Sequence, residues 1–206
     1  MISNRDEFIQ KYWNYYCMLE NDFIEITRYI DIRETNYKTS SEIIIKQLQS
    51  VASEFEVVCK ELGNLDMSSK VINIKNYYEV IKSYMQDVCK ELNLKNFRDI
   101  EINVRRTNRM KIKPLNNWDK NKTANLFWWK GYNEVKHSRT ENFEKGNFEN
   151  LLNALGALYL LEKLLLRKIS FKTKQMDVPD TKSNLFYING WKVKWLEYSD
   201  EEKKWI

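Results

Sequence analysis

The chain has 206 residues, of which 43% are hydrophobic and 14% aromatic, and its formal net charge is +5. This length and composition suffice for one well-buried domain with a small appendage, and they exclude an intrinsically disordered chain. Only two prolines and five glycines are present, which favours long helices over a turn-rich β fold. The three cysteines, Cys17, Cys59 and Cys89, lie in segments that look helical, so we expect free thiols in a reducing compartment.

The first half of the chain predicts three amphipathic helices. Apolar residues recur near a 3.6-residue period over 5–31, as in a helix with one buried face. Thr39 and Glu42 form a capping-box pattern that begins a second helix over about 41–62. A third helix is predicted over about 74–92, where aromatic and aliphatic residues again follow one side.

The second half predicts two more helices after an interruption. Residues 97–117 interrupt the helical pattern: Ile100, Ile102 and Val104 alternate with polar side chains, and Pro114 forbids a helix through that point, so we expect a short strand or an extended arm. A fourth helix is predicted over about 121–138 and a fifth over about 147–169. Because the fifth is apolar nearly all round, it should lie at the centre of a bundle or be covered by a second subunit.

The C-terminal segment carries a hairpin pattern. Alternating aromatic residues at 185–188 and 191–195 flank Asn189-Gly190, a pair that suits a type I′ turn. This hairpin could pack on the bundle or extend a sheet with residues 100–104.

The predicted fold is therefore mainly α: an antiparallel bundle of four to five helices with a small C-terminal β-hairpin. We assign residues 1–170 to the bundle, including the arm at 97–117, and residues 171–206 to a hairpin extension packed on it. No apolar signal segment follows Met1, and the most apolar stretch, 151–166, is short and interrupted by polar residues. We expect a soluble, cytoplasmic protein with no membrane contact.

Positive charge is concentrated in the middle of the chain. Residues 101–145 carry 11 basic and 5 acidic side chains. This segment permits an anionic partner such as RNA without requiring one.

The same segment holds the only histidine, His137, and imidazole is the side chain suited to proton transfer near neutral pH. At 100° per residue, Lys130, Asn133 and His137 fall within about 60° of each other on one helix face. The opposite face carries the expected core residues Trp128, Tyr132 and Val135. One interpretation is a solvated face with an ordinary exposed histidine. The other is a centre for phosphodiester cleavage, in which the histidine transfers a proton while a cation and an amide stabilise phosphoryl oxygens.

Other chemistries find less support in the sequence. One histidine and three scattered cysteines form no zinc motif. Glu54 and Glu56 are two residues apart, so they point in different directions on a helix and are expected to be surface or ion-pair groups. There is no glycine-rich phosphate loop and no nucleophile elbow. We therefore expect no metal and no cofactor.

An all-helical bundle with Asn133-x-x-x-His137 on its penultimate helix, followed by a leucine-rich helix, resembles the HEPN superfamily. The segment Trp128-Trp129-Lys130-Gly131-Tyr132-Asn133-Glu134-Val135-Lys136-His137 carries this resemblance. Asn133 and His137 match the polar residue and the histidine of the family motif, but Tyr132 stands where its arginine is expected. Lys130 is the nearest basic substitute.

The resemblance implies a metal-independent endoribonuclease of a toxin–antitoxin or phage-defence system, with its active site shared by two copies in a homodimer. His137 would be the general acid or base, Lys130 or Lys136 would stabilise the phosphate charge, and Asn133 would orient the phosphate. The residues implied in binding RNA phosphates are Lys136, Arg139, Arg105, Arg106 and Arg109. The RNA partner could be tRNA, and an antitoxin or other protein partner is also implied.

Two further interpretations stay open. The first is a non-catalytic relative that acts as an antitoxin-like, ligand-sensing or scaffold bundle, which the missing motif arginine favours. The second is a basic nucleic-acid binder without chemistry, whose binding would depend strongly on salt.

Overall fold

The structure, a computed structural model, describes residues 2–69, 71–119, 126–194, 198–199 and 204–205. The helices are Arg5–Phe8 (α1), Asn14–Ile26 (α2), Glu42–Gly63 (α3), Ile74–Glu91 (α4), Phe127–His137 (α5) and Phe148–Thr173 (α6). Short strands lie at Ile102–Val104 (β1), Lys111–Ile112 (β2), Phe186–Tyr187 (β3), Tyr198–Ser199 (β4) and Lys204–Trp205 (β5). The prediction of a mainly α fold with a small β element is confirmed.

The N-terminal helix is continuous but irregular. A π-helical segment, Ile9–Trp13, joins α1 to α2, and the junction residues keep right-handed helical backbone angles. The helix ends at Ile26, short of the predicted end at residue 31. Beyond Ile26 the amides of Arg28 and Tyr29 donate to carbonyls three residues back, so the chain tightens into a turn although its apolar pattern continues.

The central element of the fold is α6. Nineteen of its 26 residues are buried, and α3 packs along it while α1, α2, α4 and α5 also contact it. The prediction of a helix apolar nearly all round at the bundle centre is confirmed. Gly156 allows the small sheet to approach, because a Cβ at this position would lie 2.6 Å from the Ile112 Cδ1 atom. None of the described helices combines the length and apolar character needed to cross a bilayer.

The predicted extended arm supplies β1 and β2 of a three-stranded antiparallel sheet in the order β2-β1-β3, in which β1 is the middle strand. Val104 pairs with Phe186 and Asn103 with Tyr187, so the alternative in which the C-terminal segment extends a sheet with residues 100–104 is confirmed. The boundaries of the other helices differ from the predicted ones by a few residues. Helix α5 begins at Phe127, and residues 121–125, where its start was predicted, lie outside the described residues.

The hairpin predicted over 185–195 is wrong in its second arm. Residues 189–190 do form a turn, with Gly190 at φ +76°, but residues 191–194 are irregular and do not pair with β3. Trp191 instead lies over the Arg167 guanidinium, 4.1 Å from the ring centroid, and the Lys194 amide donates to Asp177. Tertiary contacts therefore replace the hairpin ladder, and Trp195 lies outside the described residues. Further along, β4 pairs with β5.

A buried carboxylate attaches the C-terminal segment to α2. Glu20 is 1% exposed and accepts hydrogen bonds from the Tyr16 hydroxyl, the Ser183 hydroxyl and the amides of Asn184 and Leu185. These bonds fix the chain immediately before β3. The position of β3 beside β1 therefore depends on Glu20.

We expect Glu20→Ala to lower the free energy of unfolding by about 3 kcal/mol, because several buried donors lose their acceptor. Urea denaturation would measure the change. The matched control is Glu25→Ala on the same helix, where an exposed ion pair with Arg28 is lost and the cost should stay below about 1 kcal/mol. Equal costs in the two variants would contradict the anchoring role of Glu20.

Candidate active site

The helix that carries His137 is fixed to the bundle by its apolar face. Trp128, Tyr132 and Val135 are buried, as predicted, and the Trp128 indole donates a hydrogen bond of 2.8 Å to the Pro114 carbonyl. At Gly131 the backbone comes so close to α6 that a Cβ would lie 2.3 Å from the Asn150 side-chain nitrogen. The rotation of α5 about its axis is therefore set by close packing.

The opposite face of α5 is open to solvent, as the helical spacing predicts. Lys130 and His137 are exposed and Asn133 is half-buried. The helix ends at His137, and the Ser138 amide still donates to the Glu134 carbonyl at 3.0 Å. The imidazole therefore projects from the last turn of a rigid helix.

The cations expected around His137 already have neighbours. Lys130 lies 3.6 Å from a Glu134 carboxylate oxygen, and the Arg139 guanidinium lies 3.8 Å from Glu42 on α3. The Lys136 ammonium lies 5.2 Å from the centroid of the Tyr132 ring, and its hydrogen bond with the Tyr132 hydroxyl raises the lysine pKa. Lys130 and Arg139 are exposed, so both pairs are weak enough to be exchanged for a phosphate.

His137 itself has no hydrogen bond or ion pair with another side chain in the part of the chain that the structure describes. Catalytic histidines are usually oriented by a second group that bonds the other ring nitrogen. The described chain places no such group at His137, so the substrate or another subunit would have to supply it.

The arginines expected to bind RNA lie elsewhere. Arg105, Arg106 and Arg109 occupy the turn between β1 and β2, and no hydrogen bond or ion pair among the described residues joins them to His137. Arg105 lies over Tyr187, 4.6 Å from the ring centroid. Arg106 and Arg109 have φ values of +64° and +60°, which are uncommon for long side chains. The basic residues thus form two separate groups, one on α5 and one on this turn.

No known protein family model matches the chain, and searches among curated proteins and solved structures give no match either. The resemblance to the HEPN superfamily therefore stays a prediction.

Among the described residues, no group of three or more His, Cys, Asp or Glu side chains is placed to hold a metal ion. The three thiols are free.

Sequence reasoning missed a buried carboxyl between α3 and α6. Glu162 is 0% exposed, and neither of its oxygens has a hydrogen-bond partner among the described residues. Burial raises the Glu162 pKa well above its usual range, and burial also raises the pKa of the neighbouring Glu54 to about 7. Glu54 is half-buried and without a described ion pair, unlike the surface or ion-pair group expected. The sequence does contain a signal for this buried group, because Glu162 is an acidic residue within the most apolar helix.

These raised pKa values predict a loss of stability with rising pH. The folded protein holds the protons more tightly than the unfolded chain, so stability is complete below the ordinary pKa of 4.5. The stability that depends on protonated Glu54 is lost as the pH rises through about 7. The raised pKa of Glu162 adds a loss of stability in the same direction.

We expect Glu162→Gln to raise the melting temperature at pH 8, on the order of 3 °C or more, because the neutral amide removes the cost of ionising a buried carboxyl. The gain should shrink at pH 5, where Glu162 is protonated. Glu25→Gln, at an exposed position, should change the melting temperature little at either pH. Thermal scans at both pH values would test this, and a gain independent of pH would contradict it.

Proposed function

We propose that this chain is a metal-independent endoribonuclease whose catalytic centre lies on the exposed face of α5. The observation that supports this most is the arrangement of Lys130, Asn133 and His137 on one face of a helix whose other face is locked in the core. A rigid face with one imidazole, one amide and adjacent cations supplies the groups that phosphodiester cleavage needs. We place its action in the cytoplasm.

In the proposed reaction the ribose 2′-hydroxyl attacks the adjacent phosphorus and the 5′-oxygen of the next nucleotide leaves. His137 accepts the proton from the 2′-hydroxyl or delivers one to the leaving oxygen. Lys130 or Lys136 stabilises the negative charge on the phosphoryl oxygens, and the Asn133 amide orients them. The nucleophile belongs to the substrate, so no metal-bound water is required. The products are a 2′,3′-cyclic phosphate and a free 5′-hydroxyl.

A homodimer is part of this proposal. His137 has no orienting side chain from its own described residues, and a second copy facing α5 would supply one. The protein would then be active only in its dimeric form. An antitoxin-like partner that covers the α5 face would block cleavage.

The second candidate is a non-catalytic bundle that binds RNA or a protein through the same face. The ion pairs Lys130–Glu134 and Arg139–Glu42 favour it, because they already neutralise two of the cations. The missing motif arginine favours it too, since lysine lacks the forked grip of a guanidinium on phosphate. This candidate predicts binding without cleavage.

We expect the purified protein to cleave total RNA or tRNA in EDTA, and His137→Ala to lower the rate by at least about 100-fold, the usual contribution of a general acid or base. End analysis should detect 2′,3′-cyclic phosphates. The matched control is Lys145→Ala, which removes an exposed cation outside the α5 face and should keep the parent rate.

Equal cleavage by the parent and His137→Ala would refute a centre at His137. RNA binding without cleavage by the parent dimer would support the second candidate instead. Binding without cleavage that weakens steeply with salt would indicate a purely electrostatic nucleic-acid binder.

A further inference from the structure

A second basic site lies on the turn between β1 and β2. This turn and the loop at 31–34 form the walls of an open groove of about 720 Å³. We call it the arginine groove. Its cationic lining residues are Arg33, Arg106, Arg109 and Lys111, and its acidic ones are Asp31 and Glu34.

Two of these cations are free to bind a ligand. Arg33 pairs with Asp31 at 3.3 Å, and Lys111 pairs with Glu101 at 2.7 Å. Arg106 and Arg109 are exposed and have no carboxylate within ion-pair distance among the described residues. Two guanidinium groups that line one groove and have no described ion pair form a natural site for a phosphate, which each can bind with paired N–H donors.

The turn holds these two arginines in a defined position. The Thr107 hydroxyl donates to the Val104 carbonyl at 2.6 Å and accepts from the Met110 amide at 3.2 Å. Both arginines have left-handed backbone angles, although glycine or asparagine would adopt them at lower cost. Long cationic side chains at two unfavourable positions in one short turn indicate a role for the side chains.

The loop that begins in the arginine groove leads to Arg139, which follows the last residue of α5, His137, by two positions. Glu34 lines the groove, the Tyr37 hydroxyl donates to the Met110 sulfur at 3.6 Å, and Glu42 contacts Arg139. Glu34 and Glu42 are eight residue steps apart along the chain, so they lie at most about 28 Å from each other. A strand of roughly eight nucleotides, even at the duplex spacing of about 3.4 Å for each nucleotide, is long enough to cover that upper bound.

We infer that the arginine groove is a phosphate-binding subsite that holds an RNA strand whose other end reaches the α5 face. Asp31 and Glu34 repel anions from the opposite wall, so the phosphate lies against Arg106 and Arg109. The inference rests on the proposed function only in taking RNA as the ligand. The same chemistry would bind the phosphate of a free nucleotide, and the experiment below separates the two sources.

The test measures binding of a fluorescent twelve-nucleotide single-stranded RNA by anisotropy, in a His137→Ala background that prevents cleavage. The variant is Arg106→Asn with Arg109→Asn, because asparagine tolerates left-handed backbone angles and keeps the turn. The matched control is Lys75→Gln with Lys82→Gln, two exposed cations on α4 that do not line the groove. Both doubles remove two positive charges.

We expect the arginine double to raise the Kd about tenfold or more. It should also reduce the slope of log K against log salt by about 0.7 if both arginines bind one phosphate, and by about 1.4 if each binds its own phosphate on the single strand. The control should stay within a factor of about two of its parent. Equal weakening in both doubles would overturn the inference, since the loss would then reflect net charge alone. Unchanged binding by the arginine double would overturn it as well.

Titration with 5′-AMP identifies the source of the phosphate. Binding of AMP by the parent but not by the arginine double would support the groove with a free nucleotide as its ligand. If the arginine double variant loses RNA binding and the parent does not bind AMP at all, the result would support the arginine groove as a phosphate-binding subsite whose ligand is RNA. Because all arms lack His137, failure of the cleavage proposal leaves these results unaffected.

Discussion

The structure depends on the burial of α6. A helix that is apolar on nearly every side gains most of its stability from being enclosed, at roughly 1.5–3 kcal/mol for each large aliphatic side chain removed from water. The other helices and the small sheet supply that enclosure, and each therefore meets α6 with its own apolar face. This requirement sets the rotation of α5. Its tryptophans and Tyr132 must face inward, so Lys130, Asn133 and His137 must face outward.

The second constraint is the attachment of the C-terminal segment. Glu20 holds the chain before β3, and Arg167 bonds Asp177, Glu91 and the Lys192 carbonyl further along. Together these buried or half-buried charges keep β3 in register with β1. Since β1 leads directly into the turn that carries Arg106 and Arg109, contacts that hold β3 beside β1 also help to position these two arginines. A substitution that removes these contacts would therefore change the arginine groove, although the substituted residue does not line it.

In the proposed function the two basic sites have different roles, proton transfer on the α5 face and phosphate binding in the arginine groove. The α5 face carries the group that can transfer a proton, while the arginine groove carries two guanidinium groups that have no ion pair among the described residues. Cations on the α5 face have acidic neighbours, which lowers their attraction for RNA before it arrives. In the proposal, Arg106 and Arg109 bind a phosphate first because they have no described ion pair, although Asp31 and Glu34 also line the groove. Binding and cleavage should therefore respond separately to substitution.

The sequence by itself determined the helices, the central position of α6 and the outward face of α5, because apolar periodicity reports directly which side of a helix is buried. It also indicated the extended arm. Only the tertiary structure decided the rest. Trp191 lies over the Arg167 guanidinium and not in the expected hairpin, and Glu162 of α6 is buried in the core, where α3 packs along α6. The arginine groove joins residues 31–34 to 106–111, and the sequence could not predict it because local patterns carry no information about which distant loops become neighbours.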